Sequence, residues 1–384
     1  MLLYISILIS LSLLYALVIA LYIQAWKTLP TYRVPPTGYI AQTRISILIP
    51  ARNEADHILE CLDAILSQNY PSNFFEILVI DDHSEDNTAT LIQSRMNQGC
   101  AIQLISLATY CVEGESYSYK KKAIETALNY AKGELIVTTD ADCIPPPNWL
   151  NYIAHYYEQS GKVFIAAPVN FYGEQNVFQA FQVLDFMGMM LVTGAGIHWR
   201  FANMCNGANL AYRKSVFYEV GGFGGIDHLA SGDDVLLLQK VAKKYPNRIG
   251  FIKSPDVAVR THPQRKLAGF VQQRIRWATK SGAYEEWQMQ AVLLIVWLTC
   301  LGCLTSLVSS IFLGWSMLWT CLIQLGIKAI ADFFFLRIAT HFFRRQDLMT
   351  YFLPALFMHV LYISIIGLMG NLVKQYRWKG RRVR

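Results

Sequence analysis

The chain opens on an apolar run, Met1 to about Trp26, with no charged side chain before Lys27. A run of that length predicts a helix that crosses ~30 Å of hydrocarbon. It has neither a basic leading region nor an obvious small-residue cleavage site, so it reads as an uncleaved anchor rather than a signal peptide. The flank that follows is basic (Lys27, Arg33, Arg44), and the positive-inside bias places the next segment in the cytoplasm. From Arg44 to about Arg260 the pattern changes to short apolar runs alternating with helical stretches: Ile45–Ile49, then Asp56–Gln68, then Phe75–Ile80. Short β-rich runs separated by helices of ten or more residues predict an α/β domain with a mostly parallel sheet covered on both faces. Ligands of such sheets collect at the carboxyl ends of the strands, so the polar residues just after each run are the candidates for chemistry.

Beyond Trp287 the chain is apolar again, in segments at about 289–315, 317–340 and 350–373. Asp332 and Arg337 interrupt the second, and a charge in lipid is costly unless it faces protein or water. Three crossings after a cytoplasmic domain would put the basic tail outside, against the same charge bias, so either one segment is re-entrant or interfacial or the bias fails here. The expected organisation is an anchor at 1–26, an α/β domain at 44–260, an interfacial segment at 261–288, a membrane region at 289–373 and a basic tail at 374–384. No internal repeat or low-complexity stretch is evident.

Composition agrees with this division. The 384 residues are 53% hydrophobic, more than an ordinary soluble enzyme carries, yet the charged middle stretch is too long to be a transporter's loop. The formal charge is +7, and part of the excess sits at Arg344, Arg345 and Lys374–Arg384. Next to apolar segments such clusters read as cations for anionic headgroups rather than for nucleic acid. The eight cysteines are scattered, and the close pair Cys300 and Cys303 lies in an apolar run. That argues against a disulfide framework and a zinc site and suits a reducing cytosol.

The first strand ends in Pro50-Ala51-Arg52-Asn53-Glu54 and the next in Asp81-Asp82-His83-Ser84-Glu85-Asp86-Asn87-Thr88. Carboxylates there can accept from a base edge or ribose hydroxyls, whereas Asp and Asn can also cap the next helix. Asp86 and Asn87 are read as caps, Asp81 and Asp82 as ligand contacts. The run Gly133–Val137 leads into Asp140-Ala141-Asp142, and two carboxylates one residue apart at a strand end can gather a hard divalent cation. Lys120-Lys121-Lys122 precede a helix starting near Ala123; a lysine there can meet a phosphate, although three in a row more often make a solvated helix start. Ser231-Gly232-Asp233-Asp234 precede the helical run Val235–Lys243. One of these carboxylates can take a proton from an attacking hydroxyl, or the pair can cap the helix. In Gln273-Arg274-Ile275-Arg276-Trp277 the residues Gln273, Arg276 and Trp277 share one helical face. An indole can floor a sugar ring and an arginine hold a phosphate, or both can anchor the chain at an interface.

In this order the motifs resemble the family 2 glycosyltransferases, in particular the membrane-integrated branch with hyaluronan, chitin, cellulose and poly-N-acetylglucosamine synthases and ceramide glucosyltransferase. The likeness runs from about Ser46 to Trp277. It implies a GT-A type nucleotide-binding fold flanked by N- and C-terminal transmembrane helices, an inverting single displacement, and Mg²⁺ or Mn²⁺. Carried over by motif, Asn53, Glu54, Asp81 and Asp82 would contact the nucleoside. Asp140 and Asp142 would serve diphosphate and metal, and Asp234, beside Asp233, would be the general base. Gln273, Arg276 and Trp277 would close over the diphosphate and acceptor. Lys120 would also serve the donor, although Tyr119 stands where the family often has glycine. Asn206-Gly207-Ala208-Asn209 resembles the loop on the acceptor side.

The resemblance implies transfer from a nucleotide sugar, by the family's habit a uridine diphosphate sugar, to a lipid or lipid-linked saccharide at the cytoplasmic face of a membrane, expected to be a bacterial inner membrane. A processive synthase extruding its polymer is the alternative, and a non-catalytic membrane scaffold a second one. The compact length and few membrane segments favour the lipid acceptor. The sequence leaves the sugar, the acceptor and the oligomeric state open.

Overall fold

The computed structural model describes residues 1–34, 39, 42–111, 118–227, 229, 232–279, 282, 284–372, 376–379 and 381–383. The helices are α1 (Leu2–Thr28), α2 (Ile58–Leu66), α3 (Thr88–Asn97), α4 (Tyr119–Tyr130), α5 (Trp149–Ser160), α6 (Val177–Trp199), α7 (Lys214–Glu219), α8 (Asp233–Lys244), α9 (Leu267–Ala278), α10 (Trp287–Leu313), α11 (Trp315–Phe342) and α12 (Phe352–Leu372). The strands are β1 (Ile45–Ala51), β2 (Phe75–Asp81), β3 (Ile102–Ser106), β4 (Leu135–Thr138), β5 (Phe164–Ala166), β6 (Val169–Phe171), β7 (Leu210–Arg213), β8 (Ile249–Phe251), β9 (Val259–Thr261), β10 (Tyr376–Trp378) and β11 (Arg381–Val383). The chain divides into two compact units, each assembled from separated pieces.

The first unit comprises Met1–Leu29, Phe171–Ala202 and Pro263–Tyr376. Among the described residues four segments are long and apolar enough to cross a membrane: α1, α6, α10 and Gln346–Gly370, which contains α12. They differ in surroundings. α6 is enclosed by protein along most of its length, whereas α1 leaves Leu13, Leu17 and Leu21 exposed, α10 leaves Ile311 and Phe312, and α12 leaves Phe357 and Leu361. Apolar side chains turned outward along whole helices are what a hydrocarbon solvent requires. α11 is equally long but carries Gln324, Lys328, Asp332 and Arg337. The first three face inward: Lys328 pairs with Asp332 at 2.6 Å and donates to the Tyr15 hydroxyl of α1 at 3.0 Å, while Tyr15 donates to Asp332. Gln324 accepts from Ser306 of α10 at 2.9 Å and approaches the Leu8 carbonyl and Ser12 of α1 at 3.4 Å. A polar seam therefore joins α1, α10 and α11 where each group finds a partner. The cluster at Arg344 and Arg345 is also partly internal, because Arg345 pairs with Glu174 and, at 2.9 Å, with Asp347.

The second unit comprises Pro30–Asn170, Asn203–His262 and Arg377–Arg384. Its core is a seven-stranded sheet in the order β3-β2-β1-β4-β7-β5-β8, parallel except for β7, which runs antiparallel to β4 and β5. β1 and β2 read as continuous apolar runs because both sheet faces are covered; Ile47, Leu48 and Ile49 are fully buried. The entry to β4 is tied to β1 and β2 through Ser46 Oγ, which accepts from the Gly133 amide at 2.8 Å and donates to Glu76 at 2.6 Å. A Cβ on Gly133 would stand 2.5 Å from the Ser46 amide nitrogen. Gly133→Ala is therefore expected to destabilise this unit by about 1–3 kcal/mol, the usual cost of forcing atoms into packed space, read as a lower Tm in detergent. None of the eight cysteines, all of them described, is in a disulfide.

Candidate active site

Register places the site. β2, β1 and β4 are parallel neighbours, so the loops at their carboxyl ends share one edge: Arg52–Glu54, Asp82–Asn87 and Thr139–Asp142. β7 enters at this edge because it is antiparallel, with Leu210 opposite Thr138, and so brings Asn206–Asn209 alongside Asp140. This is the carboxyl-end crevice in which ligands of open α/β sheets bind.

The first two loops lock together. Asn53, at φ +51°, accepts from the Glu85 amide at 2.8 Å, and its own amide donates to Ser84 Oγ at 3.1 Å. Of the two expected caps, Asp86 does the work: it accepts from the Thr88 amide at 3.0 Å and from the Ala55 amide at 3.0 Å, whereas Asn87 makes no capping bond. Burial opposes its charge, but the bonds from Thr88 and Ala55 hold the Asp86 carboxyl below the usual range. Asp81 and Asp82 are both buried, and Asp82 accepts from His83 Nδ1 when that nitrogen is protonated. Arg52 donates to the carbonyls of Asp82 and His83 and pairs with Glu85 at 2.9 Å.

The lysine run is mostly not a solvated helix start. Lys122 is exposed, but Lys121 is buried and donates to the Ile226 and Leu229 carbonyls. Lys120 turns into the site, 2.7 Å from Asp140 and 3.5 Å from Asp233. Burial opposes its charge, yet Asp140, Asp233 and Asp234 together push its pKa well above the lysine range. The feature that separates Lys120 from its neighbours is register on α4, which a charge count does not show.

Asp233 and Asp234 begin α8. Asp234 Oδ2 accepts from the Gly207 amide at 3.1 Å and Oδ1 from the Val235 amide at 2.8 Å. A Cβ built on Gly207 would lie 3.5 Å from both Lys120 Nζ and Asp233 Oδ2, so the loop threads between lysine and acids. Thr138 Oγ1 fixes the Gly207 carbonyl at 2.8 Å, and Asn206 caps the turn by accepting from the Ala208 amide at 2.9 Å. The fully buried Asn209 accepts from the Trp149 indole at 2.8 Å and donates to the Pro168 and Val257 carbonyls, which shapes the loop from behind.

Asp140, Asp142 and Cys143 hold ligand atoms within 4.8 Å of one another. The donor set suits a hard divalent ion: the aspartates offer oxygens, and burial together with Asp142 and Asp140 pushes the Cys143 thiol up, away from the thiolate that softer metals select. Excess negative charge is evident at Glu54, which is pushed up to about 7 by burial and by Asp142 and Asp140 against the opposing Lys379.

Gln273, Arg276 and Trp277 lie on α9, which belongs to the first unit. Within their motif Arg274 carries no sequence signal that sets it apart from Arg276. It is buried, pairs with Asp185 of α6 at 2.8 Å, and its guanidinium carbon lies 4.5 Å from the Trp277 ring centre, 4.9 Å from that of Phe270 and 5.4 Å from that of Tyr362. Tyr362 also donates to Asp185 at 2.9 Å. Arg274 thus fixes α9 and the Trp277 indole.

Comparison with known proteins points to one family over most of the chain. The family described as Glycosyl transferase family group 2 matches residues 135–370, and Glycosyl transferase family 2 matches residues 46–221. The glycosyltransferase AglE of Haloferax volcanii is 28% identical over 192 residues, 50% of this chain and 59% of that one. The undecaprenyl-phosphate 4-deoxy-4-formamido-L-arabinose transferase of Yersinia pestis is 29% identical over 122 residues, 30% of this chain and 34% of that one. The chain thus spans about half, or less, of the length of such curated relatives. Among solved structures, the mannosyltransferase PcManGT from Pyrobaculum calidifontis, in complex with GDP-Man and Mn²⁺, aligns over 95% of this chain and 99% of that one, with a TM-score of 0.58 at 20% identity. The shared fold is of the GT-A type.

Proposed function

This chain belongs to the family 2 glycosyltransferases, and we propose that it moves a sugar, with inversion, from a nucleotide sugar to a lipid or lipid-linked saccharide at the cytoplasmic face of a membrane. The observation that carries the proposal is the single sheet edge on which Glu54, Asp81, Asp82, Lys120, Asp140, Asp142, Asp233 and Asp234 converge. Asn53 braces the two loops whose acids receive the nucleoside, with uridine diphosphate as the carrier tested first. The outward apolar faces of α1, α10 and α12 support an acceptor that is itself in the lipid.

Asp234 is the general base. Its two amide bonds fix the carboxylate and leave lone pairs over, since an ionised carboxylate has about four acceptor positions. The acceptor hydroxyl oxygen bonds to the anomeric carbon as its proton passes to Asp234. The bond from that carbon to the diphosphate oxygen breaks, and the electron pair leaves with the diphosphate. One base suffices and no enzyme carboxylate bonds to the sugar, which is the requirement for inversion. Lys120, charged throughout, keeps Asp140 and Asp233 in place and offers a cation for the diphosphate. Asp140 and Asp142 would hold Mg²⁺ or Mn²⁺, which when bound would offset the charge on the leaving nucleoside diphosphate. Asn206, Gly207 and Asn209 shape the acceptor side, and Gln273, Arg276 and Trp277 serve the diphosphate and acceptor.

The test is a panel of radiolabelled nucleotide sugars offered to purified protein in lipid with Mn²⁺. Label moving into a short, solvent-extractable product is the expected result. A long polymer would replace single transfer with processive synthesis, and no transfer from any donor would defeat the proposal.

A further inference from the structure

The tail after α12 carries Arg377, Lys379, Arg381 and Arg382, cations expected from sequence to meet headgroups. Two of them do something else. β10 and β11 pair as a two-stranded hairpin, with Lys379 in the turn at φ +44°. Lys379 Nζ donates to the Arg52 carbonyl at 2.7 Å and to the Glu54 carboxylate, and the Lys379 carbonyl accepts from Arg52 Nε at 3.3 Å. Arg381 Nη1 lies 2.9 Å from each oxygen of Asp82, and its guanidinium carbon lies 3.8 Å from the Tyr119 ring centre. This pair is well enclosed, with Arg381 10% and Asp82 4% exposed.

Glu54 and Asp82 are the acids given to the nucleoside above, and the inference rests on that reading. A nucleobase is flat, stacks on aromatic rings and presents N–H groups along an edge; ribose presents hydroxyl donors. A guanidinium is also flat, stacks on aromatic faces and presents N–H donors in its plane. Arg381 uses both properties here, lying over Tyr119 with its edge on Asp82, while Lys379 supplies a donor to Glu54 as a ribose hydroxyl would. We propose that the C-terminal hairpin is a built-in competitor of the nucleotide, in which Arg381 occupies the place of the base. Donor binding then requires the hairpin to leave, and the affinity measured is the intrinsic affinity reduced by the fraction of molecules whose pocket is open. A tethered competitor acts at about millimolar effective concentration, so a hairpin with an intrinsic affinity of about 0.1 mM for the pocket lowers the measured donor affinity about tenfold.

The experiment uses the full chain in nanodiscs, with Lys379→Ala/Arg381→Ala as the test variant and Arg381→Lys as the variant that keeps charge but loses the flat, stacked group. Binding of uridine diphosphate and guanosine diphosphate with Mn²⁺ is measured by calorimetry. In parallel, trypsin cleavage of the tail without nucleotide is followed by intact mass in the unaltered chain and in Asp82→Asn. The expected results are about tenfold tighter binding in the double variant, a smaller gain in Arg381→Lys, and faster tail cleavage in Asp82→Asn. Unchanged or weaker binding in the double variant would overturn the competitor while leaving the nucleotide site standing. Cleavage unaffected by Asp82→Asn would overturn the docking. Failure of every form to bind either nucleotide would remove the nucleotide reading itself, and this inference with it.

Discussion

Replacing Asp234 with asparagine is expected to lower sugar transfer by about 10²–10⁴-fold, the usual contribution of a positioned general base, while uridine diphosphate still binds. Size and shape are kept. The Asn oxygen can still accept one of the amide bonds from Gly207 and Val235, so the loss of the other costs only about 1 kcal/mol of stability. What disappears is a group able to take the acceptor's proton. The decisive reading is therefore a fall in kcat at nearly constant donor KM, with a melting temperature close to the parent's. A variant that loses donor binding and transfer in proportion would show that Asp234 holds the donor or the loop rather than the proton.

Asp142→Asn is expected to be comparably severe through a different route. Removing one carboxylate charge from a hard-cation site should raise the Mn²⁺ concentration needed for half-maximal transfer by about 100-fold, since ligand charge count tunes such affinities over decades. Chelation should silence the parent enzyme, and added Mn²⁺ or Mg²⁺ should restore it. The same change carries a pH signature. Asp142 is one of the charges that raise Glu54 to about 7, after burial itself, so without it the Glu54 carboxyl ionises at a lower pH. Infrared titration of the metal-free protein checks the direction. A parent indifferent to chelation would exclude the metal role.

Much of this site was legible because a parallel sheet writes it into sequence. β1, β2 and β4 are continuous apolar runs, and the polar residues that end them fall on one edge by register alone. The approach of Asn206–Asn209 to Asp140 depends instead on β7 being antiparallel, which local pattern does not specify. α6 was not singled out: its run of apolar residues is interrupted by Gln179, Gln182 and Asp185, and such a helix inside an α/β stretch looks like any buried one until its neighbours are known. Arg274 was invisible for a related reason, since its burial depends on Asp185, a residue on another helix. The tail departs from its expected role at Lys379 and Arg381. Basic residues next to an apolar helix ordinarily meet headgroups, and the partner that overrides this habit for Arg381 lies 299 positions away.

The seam between α1 and α11 bears on how the protein is made. Tyr15 emerges from the ribosome more than three hundred residues before Lys328 and Asp332, the groups it will bond. Without α1, the buried ammonium and carboxylate of α11 would have only each other for company. With α1 already there, the hydroxyl of Tyr15 meets both ions and its ring lies 4.5 Å from the ammonium. The opening helix is thus more than a tether. α1 completes a seam that α11 cannot satisfy alone, and a chain cut before residue 328 leaves Tyr15 without the two ions it bonds.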